Sequence, residues 1–135
     1  MPDNAHTEQP SSQFMQASGL VIEEVGPTHV TGWIDLDAGH HQPWGIVHGG
    51  VYASAIESAA STGASTAAGE NGQVAVGVNN NTNFLGSMCE GRVTVDARAI
   101  SQGRTQQLWE VRIADDRQRL VATGQVRLQN VSPRQ

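Results

Sequence analysis

Between Val47 and Gly69 the chain carries one charged side chain, Glu57, within a run of alanines, serines and glycines. A lone carboxylate in so small and apolar a stretch needs either partners or a task. It can attack an acyl carbon directly, or act as base toward a water that the Ser61 hydroxyl helps to hold. Spacings of four, three and four residues put Gly50, Ser54, Glu57 and Ser61 on roughly one face of a helix. At the entrance to that helix stands His48-Gly49-Gly50. Glycines there leave backbone N–H groups uncovered, and the helix end adds a positive potential of about half a charge. Together they form an oxyanion-type site that can polarise a carbonyl. Beside it, Gln42 can donate to a carbonyl or a departing sulfur, and His48 can orient a neighbouring group by bonding to backbone.

Each of these residues also has a plainer use. A glycine pair permits a tight turn, serines or a neighbouring strand can satisfy a carboxylate, and a loop histidine is commonly exposed or structural. The adjacent His40 and His41 are assigned to the structural role, since neighbouring side chains do not readily face one ligand. The histidines, acids and single Cys89 do not converge in any metal-ligand spacing, so no metal is expected. There is no G-x-S-x-G elbow, Ser-His-Asp pattern or lysine-bearing phosphate loop. For a phosphorylated ligand the candidates are Arg104, Thr105 and Arg134.

Geometry adds a constraint. Gly49 and Glu57 are eight positions apart, about 12 Å along a helix, and the N-terminal lean of side chains shortens that only by the reach of a glutamate. The gap is generous for one carbonyl to touch both. Two antiparallel copies of the helix, one from each subunit, bring Gly49 of one beside Glu57 of the other. A composite site at a homodimer interface is therefore expected.

The elements that must position these groups are legible in outline. Leu20 to Val25 and His29 to Leu36 read as a hairpin about the Gly26-Pro27 turn signal. A single helical turn is expected over Phe14 to Ala17, and a loop over Asp37 to Trp44. From Val47 to about Ala68 small residues occur on every side, which suits a helix lying close against a sheet that curls around it. An Asn-Gly turn ends it near Gly72. Strands are expected at Val74 to Leu85, Arg92 to Ile100, Thr105 to Ala114 and Arg119 to Asn130. Val93, Val95, Ala97 and Ala99 share one face, as do Trp109, Val111 and Ile113, and Leu120, Ala122, Val126 and Leu128. The opposite faces are polar, as in antiparallel strands with one buried side.

A chain of 135 residues suits one core. Residues 1–13 read as a loose, polar N-terminal arm and residues 14–135 as one domain. The net charge of -5 and eight scattered basic residues give no reason to expect nucleic-acid or anionic-membrane partners. With one cysteine, no secretory signal pattern and no long apolar run, a cytoplasmic protein is expected.

The stretch HQPWGIVHGGVYASAIESAAS, followed by VGVNNNTNF and GRTQQLWEVRI, resembles the hotdog-fold acyl-CoA thioesterases of the PaaI-like branch, especially the glutamate-using 4-hydroxybenzoyl-CoA thioesterases. That resemblance implies an α+β hotdog fold, a curved antiparallel sheet wrapped around a long central helix, with dimers joined edge to edge and usually paired into tetramers. It implies hydrolysis of an aromatic acyl-CoA by Glu57 as nucleophile or general base. The Gly49 N–H polarises the thioester carbonyl, Gln42 and His48 support the carbonyl or thiolate side, and Ser61 supplies the hydroxyl one turn beyond the acid. Coenzyme A enters only as part of the substrate, and no separate cofactor is implied. Thr105 and Arg134 fall on nucleotide-contacting positions and Arg104 where a small hydroxyl residue occurs, while Gly86 stands where relatives often carry arginine. Two other readings use the same residues. One is a hotdog hydratase or dehydratase, for which His41-Gln42-Pro43 faintly matches the loop pattern, and the other is a non-catalytic acyl-CoA binding module.

Overall fold

A computed structural model describes residues 11–134. The first ten residues of the expected N-terminal arm lie outside this range. Helix α1 (Gln13–Ser18) is capped by the Ser12 hydroxyl, which accepts the Met15 N–H, and ends at Gly19 in the left-handed conformation. The hairpin follows as β1 (Val21–Val25) and β2 (His29–Leu36). A short 3₁₀ turn (Ala38–His40) leads through the loop to the long helix α2 (Gly49–Gly69). Then come β3 (Val74–Phe84), β4 (Gly91–Gln102), β5 (Gln106–Ala114) and β6 (Leu120–Val131).

The six strands form one antiparallel sheet in the order β1-β2-β4-β5-β6-β3. Helix α2 touches every strand, so the sheet curves around it. The alternation read from sequence is the burial pattern over most of the central strands: Val93, Val95, Ala97, Trp109, Val111, Ile113, Ala122, Val126 and Leu128 all lie in the core. Ala99 and Leu120, expected on the same faces, are only partly buried, and Val121 is buried beside Ala122. Because β3 follows α2 and crosses back to pair with β6 alone, it becomes an edge strand. Its outer backbone N–H and C=O groups have no strand partner among the described residues, and Val74, Val76, Val78 and Phe84 are exposed along it.

The small residues of α2 allow the close approach. Ala55, Ala59, Ala60 and Ala64 are fully buried, and a Cβ on Gly63 would lie 2.2 Å from the Trp109 ring. One buried polar group sits in this contact. Gln107 donates to the Ala64 carbonyl (3.0 Å) and to Asn130 (2.8 Å), while its side-chain oxygen accepts from the Trp109 indole (2.8 Å) and from Gln102 (3.0 Å). Every polar atom of that side chain is satisfied, which removes the desolvation cost of burying it. Among the described residues no helix is long and apolar enough to cross a membrane.

Candidate active site

Helix α2 begins where the sequence places it, and its first turn leaves one donor free. His48 is the N-cap. Its Nδ1 accepts the Gly50 N–H at 2.7 Å and its carbonyl accepts the Val51 N–H at 3.0 Å. Accepting at Nδ1 puts the proton of the neutral ring on Nε2. The Gly49 N–H donates to no group among the described residues, at a helix end that favours negative charge. Phe84 lies over the Gly49 Cα, where a Cβ would be 2.6 Å from the ring. Glycine lets the Phe84 ring pack directly on the backbone beside the bare N–H.

The loop before the helix is held by its histidines. His40 is buried, with Nδ1 accepting the Asp37 N–H at 3.1 Å and Nε2 donating to the Ser18 carbonyl at 2.9 Å. His41 Nε2 bonds to the Cys89 carbonyl at 2.7 Å. Both histidines therefore serve as tethers. Gln42 is oriented by its own turn, since its side-chain oxygen accepts the Trp44 N–H. The amide end left over is the NH₂, the donor that the sequence reading requires.

Glu57 lies outward on α2, exposed in the single chain rather than sunk among apolar side chains. It nevertheless has a defined seat. Asn80 of β3 donates to its Oε1 at 3.2 Å and, from the same nitrogen, to the Ala53 carbonyl at 3.1 Å. Its Oε2 occupies the space that a Cβ on Gly77 would need, 2.7 Å away. A bulge between Gly77 and Asn79 adjusts the strand register at that point. Neither Asn80 nor Gly77 was singled out from sequence. The available signal was a polar run, NNNTN, in a strand that ought to alternate.

The shared face expected for Gly50, Ser54, Glu57 and Ser61 is continuous. One depression along it is lined by His48, Gly50 and Ser54, the next by Ser54, Glu57 and Asn80, and the next by Glu57, Ser58 and Ser61. Within one chain the reactive candidates stay apart, because eight helical residues, about 12 Å, separate Gly49 from Glu57. Arg104 and Thr105 lie farther still, in the β4–β5 turn, whose carbonyls bond to Asn130. Gln107, two residues on, bonds to the Ala64 carbonyl, so this turn is beside the C-terminal half of α2. Exposed Arg134 follows β6 at the same end of the sheet, where Val131 pairs with Val74.

The family model described as "Thioesterase superfamily" matches residues 45–122, a stretch that runs from the entry to α2 through β3, β4 and β5 into the start of β6. The chain belongs to the thioesterase superfamily, and its sheet and central helix are the hotdog fold. A candidate esterase of Mycobacterium tuberculosis, Rv1847, is 44% identical over 98% of this chain and 96% of its own. The structure of that protein superposes with a TM-score of 0.88, covering 92% of this chain and all of the other. The 1,4-dihydroxy-2-naphthoyl-CoA hydrolase of Listeria monocytogenes is 41% identical over 80% of this chain and 87% of its own. The structure of thioesterase HI1161 from Haemophilus influenzae is 28% identical, with a TM-score of 0.83 over 90% of this chain and 85% of the other.

Proposed function

We propose that this thioester hydrolase acts on an aromatic acyl-CoA, releasing the carboxylic acid and the free thiol, at a site composed from two subunits. The carrying observation is the pairing of an uncommitted Gly49 N–H with a Glu57 carboxylate seated on Asn80, both facing outward beside an unpaired strand edge. Antiparallel pairing of β3 with β3 of a second copy extends the sheet and lays the two α2 helices antiparallel. Gly49 of one subunit then approaches Glu57 of the other, which closes the gap that one chain leaves open. The exposed valines of β3 and the free backbone groups of its edge support this assembly. A pairing of such dimers into a tetramer belongs to the same reading, as does a cytoplasmic location and one catalytic domain over 14–135.

In this reading the thioester oxygen accepts the Gly49 N–H, and charge developing on it is stabilised by the helix end. Gln42 donates its NH₂ to the carbonyl or the departing sulfur, and His48 fixes the first turn. Glu57 either attacks the acyl carbon, giving a mixed anhydride that water then cleaves, or takes a proton from a water that attacks. Ser61 lies one turn on, placed to hold that water. In both routes the C–S bond breaks and the sulfur leaves as thiolate to be protonated. In the general-base route the acyl group gains the oxygen of water. Water attacking the Glu57 carbonyl carbon of the anhydride instead leaves its oxygen on Glu57, and the acid departs with the original Glu57 oxygen. Incorporation of labelled solvent oxygen into Glu57 during a single turnover distinguishes the anhydride route. Arg104, Thr105 and Arg134 supply charge and hydrogen bonds for the nucleotide end of coenzyme A, which arrives as part of the substrate, with no other cofactor. The Listeria relative's naphthoyl-CoA activity supports an aromatic acyl group.

The activity is tested by thiol release from a panel of aromatic and aliphatic acyl-CoAs. The composite site is tested by mixing subunits. Glu57→Gln and Gly49→Pro chains, each inactive alone, recover activity when co-expressed, because one site of each mixed dimer is intact. A site contained within one chain recovers none.

A further inference from the structure

From two adjacent side chains of α1 we infer that this short helix forms a wall of the acyl pocket and that Phe14 and Met15 set the preference for bulky apolar acyl groups. This rests on the hydrolase reading and adds its specificity determinant. Trp44 and Ile46 are exposed in the loop before α2, but no large apolar side chain of residues 42–61 lines the two depressions that contain Glu57. The outward face of α2 around Glu57 is instead serine and threonine, with Ser54, Ser58, Ser61 and Thr62 about the carboxylate. Helix α1 supplies what that face lacks. Phe14 lines the depression that holds Glu57, Ser54 and Asn80, and continues into the one beneath His48 and Gly50. Met15, the next residue, lines the depression on the other side of Glu57 with Ser61 and Thr62. The two side chains bracket the carboxylate along the helix.

Their exposure fits a ligand role better than a core role. Phe14 is 67% exposed, although the chain has only two phenylalanines to spend on its interior, and no residue of α1 is buried. The helix is held by polar anchors. Its C-terminal Ser18 carbonyl accepts from buried His40, and Gly19 turns the chain so closely over that ring that a Cβ would lie 3.0 Å from Nε2. His40 in turn accepts the His48 N–H on its carbonyl at 2.8 Å. One histidine thus fixes the apolar wall relative to the N-cap of α2, while leaving the Phe14 ring and the flexible Met15 thioether open to a ligand. An aromatic acyl group whose reacting carbon reaches Glu57 meets these two as the large apolar side chains lining the depressions beside the carboxylate, whereas an acetyl group is too short to use them.

The experiment compares kcat/KM for benzoyl-CoA and acetyl-CoA in wild type, Phe14→Ala and Met15→Ala, with the oligomeric state of each measured by light scattering. A lost aromatic or thioether contact lowers benzoyl-CoA turnover by about ten-fold relative to acetyl-CoA, with the oligomer unchanged. Equal loss on both substrates, an unchanged ratio, or loss confined to a dissociated oligomer overturns the inference while leaving the hydrolase reading in place. Absence of thiol release from every acyl-CoA by the wild type instead overturns that reading, and this inference with it.

Discussion

The Glu57 Oε2 atom fills the space above the Gly77 Cα, 2.7 Å from where a Cβ would be. The carboxylate on the helix and the bare backbone of the edge strand are therefore fitted to one another. A methyl at Gly77 meets the far end of a flexible side chain, so the fold accommodates it while the carboxylate moves. Gly77→Ala is expected to lower kcat by roughly 10²-fold, the cost of misplacing a reacting group by about 1 Å. Its melting temperature should stay close to wild type, which thermal unfolding beside steady-state kinetics will check.

Asn80 ties Glu57 to β3 and the same nitrogen to the Ala53 carbonyl. Asn80→Ala releases the carboxylate without altering its chemistry. Turnover should fall less than on removing the acid itself, and Asn80→Gln, whose amide sits one methylene farther out, should not restore it. Rates equal to wild type for Asn80→Ala would show that the bond has no positioning role.

At Gly49 two substitutions separate the N–H from the space above it. Both Gly49→Ala and Gly49→Pro introduce a Cβ against Phe84, a ring 57% exposed and able to turn aside. Only proline removes the N–H. The site tolerates it, being the first helical residue, preceded by His48 at φ -67 and ψ 132. Gly49→Pro should therefore be slower than Gly49→Ala by about 10²- to 10³-fold, the effect of removing one oxyanion donor.

Gly63 is the contrasting case. A Cβ there meets the rigid, fully buried Trp109 ring at 2.2 Å. Gly63→Ala should destabilise the protein by about 1–3 kcal/mol through overpacking, read by denaturant unfolding, with kcat changed little for the fraction that remains folded.

The single tyrosine of the chain gives a clean spectroscopic test. Tyr52 is buried beside Phe84, and its hydroxyl has no hydrogen-bond partner among the described residues. Burial pushes its pKa up to about 12. The folded state holds the phenol proton to higher pH than the unfolded chain. The stability this represents is present below about pH 10, the unfolded value, and is lost as pH rises towards about 12. Tyrosinate absorbance should appear only in that alkaline range. Tyr52→Phe should flatten the alkaline fall in stability and unfold no earlier than wild type at neutral pH, since it discards an unsatisfied hydroxyl.

The order of elements was legible because β4, β5 and the second half of β6 alternate, and most of the inward set from Val93 to Leu128 lies in the core. The entrance to α2 was legible too, since His48 and two glycines are a start signal with chemistry in it. The outward direction of Glu57 was not, because a helix with small residues on every side carries no periodic mark of its buried face. Asn80 and Gly77 escaped notice for a topological reason. Only the crossover that returns β3 to the far edge beside β6 brings them against α2, and the bulge after Gly77 shifts which residues of the strand face inward. The apolar contribution of Phe14 and Met15 was hidden similarly, since the first helical turn joins the site through His40 rather than through any local pattern.

Glu57 carries the chemistry in this account, so its replacement by an isosteric amide is the most direct test. Glu57→Gln keeps the Asn80 side available for a hydrogen bond but removes the nucleophile or base. With benzoyl-CoA as substrate and free thiol as the readout, its kcat should fall by at least about 10²-fold, at a melting temperature near wild type. A Glu57→Gln protein that releases thiol as fast as wild type would contradict the account.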